Sequence, residues 1–132
     1  MAELEGRSLE IVKEGANYAV VAVPTDDGSV QSVIVWAHAD DDGNVILNSA
    51  EGRAWPQNLR KAGRATVTMM ADGNPYEYVS IRGRLIGDTQ EGADDDINML
   101  AKKYFDANPQ ASSFSLVRTA SRSVLALSRK VL

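Results

Sequence analysis

Hydrophobic and polar positions change their period several times along the chain, and each change marks an element. Residues 17–23 (NYAVVAV) and 30–38 (VQSVIVWAH) are rich in β-branched residues and enclose PTDDGS, whose Asp-Gly pair is hairpin-turn chemistry. A second acidic turn, ADDDGN, leads into a third predicted strand at 45–49 (VILNS), and RATVTMMA at 64–71 reads as a fourth. Over 78–88, Val79, Ile81, Gly83 and Leu85 alternate with Ser80, Arg82, Arg84 and Ile86, the period of two of a long fifth strand. Gly83 inside it points to a bend or a close backbone approach, as at a barrel corner. Residues 123–132 (SVLALSRKVL) supply a sixth strand.

Helical spacing is clearest at 93–105, where Ile97, Leu100, Ala101, Tyr104 and Phe105 share one face. Asp94, Asp95 and Asp96 stand at the positive end of that helix, which favours helix chemistry over a metal site for them. A short helix is expected at 8–14, ended by Gly15, and another at 54–61, where Pro56 fits the first turn and Gly63 the end. Six strands joined mostly by hairpin turns, with helices inserted at three places, predict a mainly β protein with α decoration, an antiparallel barrel.

Composition narrows the picture. A chain of 132 residues, 44% hydrophobic and 24% charged, suits one globular domain spanning 1–132. The absence of cysteine removes disulfides, thiolate metal sites and cysteine nucleophiles, and a cytoplasmic address is its simplest reading. No stretch has the pattern of a signal peptide or the ~20 apolar residues of a membrane span. A net charge of −4 argues against broad nucleic-acid binding, while leaving room for a local anion site.

Familiar catalytic constellations are mostly absent. His38 is the only histidine, and beside the aspartates at 40–42 it reads as a solvated strand end. DDDGN lacks the spaced carboxylates of a calcium loop, and RGRLIG lies inside a strand and does not match a dinucleotide-binding turn. The best candidate is EGRAWPQNLRKAGRATVTMM, 51–70, which holds Arg53, Arg60, Lys61 and Arg64 and no acid after Glu51. A strand running through a small turn into a helix start presents free N–H groups to an anion, and Arg53 sits there, where a guanidinium grips two phosphate oxygens. The same run also reads as solvation of an exposed helix. Gln31 can donate to a phosphate or ring edge, and Trp36 either packs on a flat ligand or belongs to the core.

The order of these pieces resembles the flavin- and deazaflavin-binding split β-barrels related to pyridoxamine-phosphate oxidase. YAVVAVPTDDGSVQSVIVWAH is similar to that family's opening hairpin, VILNSAEGRAWPQNLRKAGRATVTM to its strand, GRAKxRNLRRDPRV segment and following strand, and NPYEYVSIRGRLIGDTQEGADDDINMLAKKYF to its PYRYLEVRGRV strand and helix. The resemblance implies a six-stranded Greek-key split barrel. It also implies a homodimer with cofactor sites between subunits, and hydride transfer between the deazaflavin coenzyme F420 and an unsaturated small molecule. Relatives use FMN, and a few bind haem. Arg53 and Asn58 match the motif, and Gln31 matches the residue on the phosphate side. Asn48, Ser49 and Ala50 occupy the strand end before the loop, and the remaining cofactor-facing positions are Val33, Trp36, Trp55 and Gln57. Trp55 and Gln57 stand where the motif has Lys and Arg, Val30 where Pro is common, and Val33 where Ser or Thr is common. Each lost charge-assisted bond to phosphate is worth roughly 1.5–3 kcal/mol, for which stacking by Trp55 or reach from Arg60 and Lys61 would have to compensate. Variable loops, here 108–118 and the N-terminal helix, are expected to line the substrate pocket.

Overall fold

The computed structural model describes residues 2–107, 122–128 and 130–131. Its strands are β1 (Ala2–Glu3), β2 (Ala19–Pro24), β3 (Val30–Val35), β4 (Ala37–Ala39), β5 (Val45–Ala50), β6 (Arg64–Ala71), β7 (Asn74–Thr89), β8 (Arg122–Leu127) and β9 (Lys130–Val131). Three helices interrupt them: α1 (Gly6–Lys13), α2 (Ala54–Ala62) and α3 (Ala93–Ala107). All pairings are antiparallel, in the order β3-β2-β6-β7-β8-β5-β4, with β9 joining both β1 and β7. The two ends of that order, β3 and β4, are consecutive in the chain and separated by Trp36 alone. The sheet therefore curls into a split barrel.

Six strands were expected, and the described residues hold seven longer than two residues. The difference has two physical sources. The run at 30–38 is broken at Trp36 into β3 and β4, which pair with different partners, β2 and β5. The C-terminal run divides into β8 and the short β9, while Ala2–Glu3 adds β1, and two-residue strands are too short to display a period.

β7 has 16 residues and serves both halves. Its first part pairs with β6 from Tyr78↔Met70 to Arg84↔Arg64, and its last part pairs with β8 from Leu85↔Leu127 to Thr89↔Val124. The bulge lies between Leu85 and Gly87, not at Gly83 itself. Gly83 instead provides the close approach: a Cβ there would stand 2.7 Å from the Leu127 Cβ and 3.2 Å from the Ser128 carbonyl oxygen.

Inside the barrel, Val21, Val23, Leu47, Val67, Ile81 and Leu127 are fully buried. α2 closes one opening by inserting Trp55 and Leu59, and Gly63 ends that helix at φ 71° with its N–H on the Leu59 carbonyl at 2.7 Å. α1 packs on β4, β6 and β7 and contributes Ile11 and Val12. Asn17 clips its C-terminal end: Nδ2 donates to the Ile11 carbonyl at 3.0 Å, and Oδ1 accepts the Asp72 N–H at 2.9 Å. Gly15 leaves the room this needs, since a Cβ there would meet Asn17 Nδ2 at 2.3 Å. The acidic turn before β5 closes on itself, with Asp40 Oδ1 accepting the N–H groups of Asp42 and Asn44 at 3.0 and 2.8 Å.

Replacement of Gly83 by Ala is expected to destabilise the barrel by about 1–3 kcal/mol through overpacking against Leu127. Urea unfolding measures it, and an unchanged midpoint would show that the β7–β8 contact tolerates the extra carbon.

Candidate functional site

A cavity of about 280 Å³ opens between the β3–β4 break, the end of β5 and α3. Trp36, at the break, forms one wall. Its ring stacks on Tyr104 at 5.2 Å between centroids and 17° between planes, and meets the edge of Phe105 at 5.3 Å. Tyr104 is itself fixed, because its hydroxyl donates to the Asn17 carbonyl at 2.5 Å and accepts the Ala37 N–H at 3.1 Å. The aromatic wall is thus held from behind by backbone, with little freedom left to it.

Ile97, Leu100 and Ala101 of α3 add an apolar side to the cavity. Asn48, Arg53 and Arg122 add polar groups, and among the described residues that line it there is no carboxylate. Asn48 is buried and its amide is committed: Nδ2 donates to the Ala93 carbonyl and to Asp96 Oδ2, both at 2.9 Å, and Oδ1 accepts from Arg122 Nη1 at 3.2 Å. The other Asp96 oxygen lies 2.6 Å from His38 Nε2. His38 is therefore a paired, largely covered side chain and not the solvated strand end expected from its acidic neighbours. Asp96, expected only to complement the helix dipole, orients Asn48 as well.

Arg53 occupies the N-cap of α2 in extended backbone, at φ −77° and ψ 151°, directly after Gly52 at φ 89°. No side chain caps the helix, and no acid stands in its first turn. The Arg53 guanidinium is exposed, lines the cavity, and has no hydrogen bond or ion pair among the described residues. The other cations of the basic run are spoken for or elsewhere. Arg60 Nε donates to Asp88 at 2.7 Å and its Nη2 to Glu51 at 3.3 Å, while Lys61 pairs with Asp26 at 3.2 Å. Arg64 is exposed at the start of β6. A hydrogen bond from Ser123, reinforced by Arg60, holds the Glu51 carboxyl below its ordinary range. Arg60 thus reaches the turn before α2 but is engaged there by Glu51 and Asp88, and Lys61 is engaged by Asp26.

Of the ten residues expected around a cofactor, the cavity gathers Trp36, Asn48 and Arg53. Ser49 is buried, its hydroxyl turned onto the Ala50 carbonyl at 2.9 Å, and Ala50 lies next to it at the strand end. Val33 packs against the core. Trp55 is 1% exposed with an unpartnered indole N–H, so the stacking role imagined for it gives way to core packing. Gln57 is exposed on α2, and Asn58 Nδ2 donates to Gln31 Oε1 at 2.7 Å, a tie between α2 and β3 outside the cavity. No local pattern points to Arg122, because β8 lines the cavity only through its six-residue pairing with β5. The loop expected at 108–118 lies outside the described residues.

Comparison with solved structures agrees with this architecture. A protein described as an F420 reductase aligns at 18% identity over 92% of this chain and 92% of its own, with a TM-score of 0.75. A Lactobacillus delbrueckii protein described as a candidate pyridoxamine 5'-phosphate oxidase aligns at 15% identity over 98% of this chain and 92% of its own, with a TM-score of 0.64. A haem-binding protein from Mycobacterium smegmatis aligns at 16% identity over 90% of this chain and 48% of its own, with a TM-score of 0.52. No family model matches the sequence, and no curated protein matches it. At these identities the likeness establishes the fold alone, the antiparallel split barrel shared with these neighbours. Among the described residues no helix is long and apolar enough to cross a membrane.

Two groups beside the aromatic wall titrate away from their ordinary values. Burial pushes Lys103, which donates to the Ala37 carbonyl at 2.8 Å, down to about 8 from 10.5, with Glu14 pulling weakly upward. Burial pushes Tyr104 up to about 12 from 10.0. Between about 8 and 10.5 the unfolded chain holds the Lys103 proton more firmly than the folded one, so stability rises with pH across that window. Between 10.0 and about 12 the folded chain keeps the Tyr104 proton that the unfolded chain has lost, so stability falls there. Thermal melts should show the rise in the wild type and its loss in Lys103→Met. A rise of equal size in both proteins would remove Lys103 from the account.

Proposed function

We propose that this chain is an oxidoreductase of the flavin and deazaflavin type, with F420 as cofactor and FMN as the alternative. The observation that carries the reading is Arg53: a guanidinium with no hydrogen bond or ion pair among the described residues, at a helix start without a side-chain cap, lining the same cavity as the braced ring of Trp36. A phosphate and a flat heterocycle are the two features such a ligand brings, and the residues present fit both. The cavity volume is slightly below the usual range for ligand sites, so it would take only part of such a ligand, with Trp36 meeting its ring and Arg53 its phosphate. When bound, the cofactor supplies hydride chemistry, and the protein supplies position and charge. Trp36 orients the ring plane, Arg53 anchors the anion, and Ile97 and Leu100 keep water from the enclosed part.

A homodimer belongs to the proposal. Val20 and Ile34 are directly paired neighbours of β2 and β3, Met70 and Tyr78 of β6 and β7, and all four are exposed. A second copy would cover these side chains and complete the walls of the site. Its substrate is proposed to be an unsaturated small molecule.

Trp55 and Gln57, which stand where the resembling motif has two cations, favour a barrel that has lost cofactor binding and serves as an interaction module; a further reading keeps a ligand. In it, the barrel holds FMN or haem without turnover, as the name of the haem-binding neighbour illustrates for that protein.

Fluorescence titration with F420 and, separately, with FMN tests the main reading. Binding of F420 in the micromolar range is expected, with Arg53→Ala weakening it at least tenfold. Absence of F420 binding with firm FMN or haem binding would move the assignment to the ligand-holding reading, and absence of all three would leave the interaction module.

A further inference from the structure

Arg122 carries more than the proposed function uses. It lines the cavity from β8, on the strand opposite Ala50, whereas Arg53 lines it from the start of α2. Among the described residues its Nη1 alone is engaged, with Asn48 Oδ1 at 3.2 Å, while its Nε is sealed from solvent and has no acceptor among them.

Among the described residues, no carboxylate pairs with the Arg122 guanidinium. Asp96, the acid nearest in the network, gives one oxygen to His38 at 2.6 Å and the other to Asn48 at 2.9 Å. Glu51 accepts from Ser123 and Arg60. Asn48 acts as the spacer: its amide nitrogen is fixed by two acceptors, so its oxygen must face Arg122 and hold the guanidinium in place. The edge formed by Nε and Nη2 is left without a partner among the described residues. The Nε end of that edge is sealed, so an incoming carboxylate would meet the guanidinium at its terminal nitrogens.

We infer that Arg122 is a second anion-binding residue of the cavity, holding the carboxylate of a flat, conjugated substrate. Arg53 and Arg122 then divide the work, one taking the cofactor's phosphate and the other the substrate's acid group. Their joint presence accounts for a cavity that has two cations and no acid in a chain of net charge −4.

This inference rests on the same cavity being the ligand site, yet it can be read on the protein alone. The probes are trans-cinnamate and trans-cinnamamide, which share a flat conjugated frame and differ in charge. Their binding is followed by the Trp36 indole N–H signal in nitrogen-15 correlation spectra. Cinnamate is expected to bind at least tenfold more tightly than the amide, a preference that shrinks as salt is raised from 50 to about 500 mM. Arg122→Gln should remove the preference by weakening cinnamate to the level of the amide. Arg122→Lys, which keeps the charge and loses the fork, should retain only part of it and serves if the Gln variant does not fold. Equal binding of acid and amide by the wild type overturns the inference, as does a preference undiminished in either variant. Failure of the F420 titration together with a clear cinnamate preference would strike only the cofactor reading.

Discussion

One strand belonging to two sheets sets the terms for everything else. β7 pairs with β6 along its first part and with β8 along its last, and the bulge at Ile86 lets the change of direction occur without ending the strand. Because β8 then pairs with β5, the end of β5 is carried to α3, where Asn48 meets Asp96. The tight contact at Gly83 is the steric condition for this arrangement, since a side chain there would push Leu127 and the following turn away. The cavity lies where the two halves meet again, at Trp36, so the closure that forms the core also forms the site.

That closure uses aromatic and polar contacts in series. Tyr104 stacks on Trp36 with its ring and joins Asn17 and Ala37 with its hydroxyl, tying α3 to both sides of the gap. Lys103 adds a further bond to the Ala37 carbonyl from the same helix. Buried hydrogen bonds of this sort cost their full desolvation if left unmade, so they select one position for α3. A rigid Trp36 is the result, and rigidity matters at a binding wall because little entropy is then lost when a flat ligand meets it.

Periodicity made much of this legible. The alternation in 78–88, the helical face of 93–105 and the end of α2 at Gly63 all correspond to observed elements, because each is decided by local burial and local backbone geometry. The break at Trp36 was hidden, since VIVWAH is apolar throughout and carries no turn residue. Arg122 was hidden for a different reason: its partner Asn48 is 74 residues away, and only the β5–β8 register brings them together. Trp55 illustrates the converse problem. Its place in the motif implied a surface, while the amphipathic turn of α2 that also buries Leu59 directs it inward.

The basic run from Arg53 to Arg64 resolves into separate fates, and they explain why an acidic chain keeps it. Arg60 and Lys61 meet Asp88 and Asp26, carboxylates from other elements, and so help to dock α2 on the barrel. Arg53 remains outside these pairings, and Arg122, which lines the same cavity, is held by a neutral amide. Pairing every cation with an acid would be simpler electrostatically, because two guanidinium groups facing one cavity repel each other. Pairing through Asn48 keeps the charge of Arg122 available, whereas an aspartate at the same position would cancel it. The choice of amide over acid at residue 48 therefore has a direct consequence for what the cavity attracts, and it ties the polar network behind α3 to the charge in front of Trp36.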